Sequence, residues 1–185
     1  MAGLSFSSVG AVVPSVVAGL LSSASSVGFA GSRSAVPCSS VSASLFACVS
    51  PSAVVSVGCA CGFDLLARSA FPSAVVWRAS QFGAGRASFA RRSVAFLSAL
   101  ASSPAPVLVS APAVACPAGL VPSASSSRCF CGLGSGSWAG VAFAVGVGLP
   151  VVLFLPAGVV PPAVFGFVPA GGGFFVFRPS QGVLF

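Results

Sequence analysis

The sequence predicts a three-layer α/β fold, a parallel sheet with helices on both faces, and three observations predict it. Short apolar runs alternate with longer small-residue stretches that can hold helices. The runs are continuously apolar, which suits strands buried on both faces. Glycine clusters stand where the runs and the helical stretches meet.

Residues 1–25 carry no charged side chain and read as a poorly specified extension, with a helical stretch at 16–21. From residue 26 the rhythm sets in. Strands are predicted at 27–30, 53–57, 74–77, 106–110 and 150–155. Helices are predicted at 39–49, 64–70, 87–101 and 137–147, and parallel connections between such units are right-handed. Residues 26–156 therefore form the main domain. Residues 157–185 are punctuated by Pro and Gly, and strands at 163–168 and 174–177 flank Pro169 and the run Gly171, Gly172, Gly173. Those breakers fit an edge hairpin better than a central strand.

Composition needs one filter before it can be used. Only Met1, Asp64, Gln81 and Gln181 require adenine in the first or second codon position. An adenine-poor coding strand can specify Arg but no other charged residue, so the net charge of +7 does not by itself point to an acidic partner. The same loss removes the most polar residues and raises the mean hydropathy to +1.08 without any bilayer. The 7 cysteines are readily encoded too, and their number is odd.

Three glycine clusters carry the functional signal. Gly31, Ser32 and Arg33 follow the first strand. Gly58, Cys59, Ala60, Cys61, Gly62, Phe63 and Asp64 follow the second. Gly132 to Trp138, including Gly134, Ser135, Gly136 and Ser137, precede the last helix. A strand, a glycine turn and a helix together aim backbone N–H groups at an anion. In open α/β sheets these turns gather at the carboxyl ends of the strands.

The ordered set resembles the Rossmann-type SLOG superfamily, which holds the DNA-processing protein A (Smf/DprA) domain and the Lonely Guy nucleotide phosphoribohydrolases. The resemblance covers residues 27–156. Val27 to Arg33 resembles the opening strand with its G-S-R turn. Val54 to Ala67 is similar to the second strand with its G-x-A-x-G-x-D turn. Phe89, Ala90, Arg91, Arg92 and Ser93 resemble the F-x-x-R-N segment. Gly134 to Ser137, with Ala142, Gly148, Pro150 and Val151, resembles the glycine turn, its helix and the closing strand. Ser93 and Ser137 stand where Asn and Thr would need adenine.

The resemblance implies a nucleotide pocket formed by Gly31, Ser32, Arg33, Gly58, Gly62, Asp64, Arg91, Arg92, Ser93 and Gly134 to Ser137. Asp64 is the only acidic side chain, and it falls in the second turn against the bias. It can cap the following helix or brace the loop, or contact a ribose hydroxyl. Arg33, Arg91 and Arg92 are phosphate candidates because guanidinium pairs bidentately with phosphate; a solvated helix face is the simpler account of Arg91 and Arg92. Arg68, one turn after Asp64, is explained by an i, i+4 ion pair.

One departure weighs against catalysis. The phosphoribohydrolases carry a Glu three residues past the Thr of the glycine turn, where this chain has Gly140. With one carboxylate side chain and no His, paired acid–base chemistry lacks its groups. Cys59/Cys61 and Cys129/Cys131 form C-x-C pairs, tighter than the usual zinc spacing, so no metal is expected. Trp77 and Trp138 read as core, with Trp138 the better placed for stacking.

The expected function is binding of a nucleotide, with single-stranded DNA as a second candidate ligand and a second copy of the chain as a candidate partner. No separate cofactor is expected. The alternatives are a phosphoribohydrolase-like enzyme, a small membrane protein, and chance translation of adenine-poor DNA, which stays open because every stop codon contains adenine. The uncharged stretch between Arg128 and Arg178 is long enough to span a bilayer. Its glycines and prolines are better explained as turns, and no positive segment precedes the first apolar stretch, so the cytoplasm is the expected location.

Overall fold

The computed structural model describes residues 12–34 and 36–179. Met1, Gln181 and residues 1–11 of the expected extension lie outside them. The order of elements is α1 (Ser15–Ser23), β1 (Ser26–Gly31), α2 (Ser39–Ala47), β2 (Val54–Gly58), α3 (Phe63–Ala70), β3 (Val75–Trp77), α4 (Arg86–Ala101), β4 (Pro106–Ala111), the single turn α5 (Ser126–Cys129), α6 (Gly136–Gly146), β5 (Val151–Phe154), β6 (Val168–Gly171) and β7 (Phe174–Phe177). Short 3-10 turns occupy Ala79–Phe82 and Ala163–Phe165.

The sheet runs β3-β2-β1-β4-β5-β7-β6. β1 to β5 are parallel, with Val27 opposite both Val55 and Val107. β7 pairs antiparallel with β5 and with β6. This is the expected three-layer, Rossmann-like α/β fold with an antiparallel hairpin at one edge.

Each face of the sheet buries its own core. On one face Val17 and Leu21 of α1, Val41 and Leu45 of α2, and Phe63 and Ala67 of α3 pack on Val27, Phe29, Val57 and Val109. On the other, Phe96, Leu97 and Leu100 of α4 join Trp138 and Val141 of α6 over Leu108, Val151 and Leu153. Strand side chains alternate between faces. Leu108 and Ser110 thus share the α4/α6 face, while Val107, Val109 and Ala111 point to the other.

Two local expectations change. Residues 15–23 are not an appendage, because Val17 and Leu21 are fully buried in the same core as β1. A helix of small neutral residues has no polar face to reveal which side it buries. The strand expected at 163–168 is a 3-10 turn at Ala163–Phe165, followed by a strand at Val168–Gly171. Pro162 precedes that turn, and Phe165 leaves the sheet to meet Trp138 edge-on at 5.7 Å. The hairpin loop is Gly172 and Gly173, both at positive φ (60° and 84°), as a two-residue loop matching strand twist requires.

Candidate functional site

The helices following β1 and β4 pack on opposite faces of the sheet, and β1 and β4 are neighbours. Chain leaving these strands therefore diverges, and a crevice opens at their carboxyl ends. A cleft of about 920 Å³ lies there. Its walls come from the turn after β1 (Gly31, Ser32, Arg33, Ser34), Asp64 of α3, the first half of α4, the end of β4, and residues 132–137, which lead into the first turn of α6.

Asp64 ties the turns together. It is 3% exposed and sits in the first turn of α3. The Gly31 N–H donates to its Oδ1 at 3.3 Å and the Ala60 N–H to its Oδ2 at 3.3 Å. The Arg92 guanidinium stands 3.6 Å from Oδ2. One carboxylate thus clasps the turn after β1, the turn after β2 and helix α4. It makes no side-chain cap of α3, whose N-cap residue is Gly62, so the bracing role is seen and the capping role is not. The expected Asp64–Arg68 pair is also replaced. Arg68 donates to the carbonyls of Gly58 at 2.6 Å and Ala60 at 2.9 Å, holding the second turn from its other side.

Close packing accounts for the two glycines of that turn. A side chain on Gly58 would run into the Arg92 guanidinium and the Asp64 carboxylate. Gly62 has φ +72°, and a Cβ there would strike the Ser32 carbonyl oxygen. The Phe63 N–H donates to that same oxygen at 3.0 Å. Neither glycine lines the cleft.

Gly31, Ser32, Arg33, Arg92, Ser93 and Gly134 to Ser137 do line it. Arg91 does not: it is exposed and donates to the Phe82 carbonyl at 3.1 Å. Successive helical residues are rotated by about 100°, which carries Arg91 to the Phe82 side of α4 while Arg92 and Ser93 face the cleft. The same period explains two residues the sequence reading left out of the site. Arg86 and Phe89 lie seven and four residues before Ser93, on its side of α4, and both line the cleft. Arg33 lies 5.6 Å over the Phe89 ring and joins the first turn to α4 across the rim.

Trp138 is fully buried and donates its indole N–H to the Val114 carbonyl at 2.8 Å, which makes it core and not a stacking platform. Trp77 stacks on Phe82. The C-x-C pairs do not assemble: among the described residues no group of three or more Cys, Asp, Glu or His is placed to hold a metal ion. Cys59 Sγ instead accepts from the Ala79 N–H, and the Cys129 thiol donates to the Ser123 carbonyl.

Ser110 is the other residue missed. It is 1% exposed, lines the cleft, and its hydroxyl has no hydrogen-bond partner among the described residues. An unsatisfied buried hydroxyl costs about 1–3 kcal/mol. The only sequence signal for it is a polar residue in the otherwise apolar run 107–111.

Burial pushes the Asp64 carboxyl above its ordinary value, against the pull of Arg92, the Ala60 and Gly31 N–H groups and Arg68. The folded state therefore takes up this proton before the unfolded state does. Stability contributed through Asp64 rises as pH falls from the raised value to the ordinary 3.8. Asp64 is the one acidic side chain and there is no His, so the side-chain contribution to the slope is at most one proton, about 1.4 kcal/mol per pH unit. Urea midpoints across mildly acidic pH should stay level or increase slightly, the reverse of ordinary acid denaturation, and Asp64→Asn should abolish the increase.

No helix of the described residues is long and apolar enough to cross a membrane. Comparison with family models, curated proteins and solved structures finds no match to this chain.

Proposed function

We propose that the chain is a nucleotide-binding domain of the DprA/SLOG type. The observation that carries this reading is the convergence of two glycine turns, the amino end of α6 and three arginines (Arg33, Arg86 and Arg92) on one cleft at the switch point of the sheet. Open α/β sheets bind ligands at such points. Backbone N–H groups at a helix start favour an anion, and guanidinium groups pair with phosphate. The chain's one acidic side chain is committed to Arg92, which leaves Arg33 and Arg86 with no acidic side chain to neutralise. The same commitment weakens the hydrolase reading, because Asp64 is buried among its own partners and Gly140 stands in place of the Glu.

Titration calorimetry with nucleoside monophosphates and a short single-stranded DNA tests the proposal. Binding at micromolar concentrations is expected, weakening as salt is raised. Arg33→Ala should lower affinity about tenfold to a hundredfold, the worth of one charge-assisted contact, while Arg91→Ala should leave it unchanged. A folded sample that binds neither ligand overturns the proposal.

A further inference from the structure

The cleft has two chemically distinct levels. At its rim lie Arg33, Arg86 and the exposed turn 132–134. At its floor lie Phe96, Leu97, Leu108, Leu120 and Val141, all at most 4% exposed, and among them Ser110. Among the described residues the charges at depth are Asp64 and Arg92, which offset each other. An anion is therefore favoured at the rim and an uncharged, mainly apolar group at the floor.

Ser110 gives the floor a direction. Its register neighbours are Ala30 on β1 and Leu153 on β5, and it shares its face with Leu108. Ala, Val and Leu are encoded without adenine as readily as Ser, so codon bias does not account for a hydroxyl here. Ligand sites of this kind are mostly apolar, with a few placed polar groups that fix orientation. We infer that the floor is a recognition subsite for an uncharged heteroaromatic ring, a nucleobase, whose hydrogen-bonding edge meets the Ser110 hydroxyl while the anionic end of the ligand stays at the rim. This rests on the nucleotide-binding reading above and adds to it which end of the ligand goes in.

The test compares the wild-type chain with Ser110→Ala, using nucleoside 5′-monophosphates, the matching nucleosides and inorganic pyrophosphate as titrants. Ser110→Ala removes an unpartnered hydroxyl from an apolar setting, so its melting temperature should equal or exceed that of the wild type. Its affinity for the preferred nucleotide and for the matching nucleoside should fall by similar factors, about fivefold to tenfold for one hydrogen bond, with pyrophosphate binding unchanged. Nucleotide affinity unchanged within twofold would overturn the subsite alone. Loss of pyrophosphate binding would overturn it as well, by placing the anion at the floor. A wild-type chain that binds no nucleotide would overturn the reading of the whole cleft, and the subsite with it.

Discussion

Asp64→Ala should destabilise the protein by about 3–5 kcal/mol, the cost of removing one partner from a buried ion pair. The loss has two sources. Arg92 would remain buried with no carboxyl oxygen beside it, a partner that Asp64 keeps even when protonated, and its Nε already lacks a hydrogen-bond partner among the described residues. The N–H groups of Gly31 and Ala60 would also lose their acceptor. A loss of this size takes a large share of the 5–15 kcal/mol typical of whole domains. Urea unfolding followed by circular dichroism measures it. The double variant Asp64→Ala with Arg92→Leu should be less destabilised than the sum of the single changes, because it leaves no unpaired charge. Strict additivity would show that the two side chains do not act as a pair.

Gly62→Ala should cost about 2–5 kcal/mol, combining positive-φ strain with overpacking. The backbone at φ +72° disfavours a side chain, and the added methyl would meet the Ser32 carbonyl oxygen. That oxygen also accepts the Phe63 N–H, so the turn after β1 and the start of α3 would be forced apart at the cleft wall. Thermal unfolding gives the stability loss. Nucleotide affinity should fall too, because the displaced Ser32 and Arg33 line the cleft. A variant as stable as the wild type would mean that the turns tolerate separation.

Much of the fold was legible because its signals are local. The strand at 106–110 is a continuous apolar run, and the helix at 87–101 is a long stretch without Gly or Pro; each matches an observed element to within a residue or two. The glycine turns were legible for the same reason, since a turn is written in a few consecutive residues. α1 was only partly legible, because nothing in its own sequence marks the face that Val17 and Leu21 bury. The 3-10 turn at Ala163–Phe165 was read as strand because an isolated apolar run cannot distinguish sheet pairing from docking against Trp138.

The candidate site divides along the same line. The sequence by itself determined that the sheet is parallel in its main part, that three glycine turns punctuate it, and that a single acidic side chain falls in the second of them. Which arginine faces inward, what Asp64 holds, why Gly58 has no side chain, and that Ser110 is left without a partner were decided only by tertiary structure. The reason is physical. Periodicity and turn chemistry depend on neighbours in the chain, whereas the clasp of Gly31, Ala60 and Arg92 on Asp64 joins segments that only the closed sheet brings together.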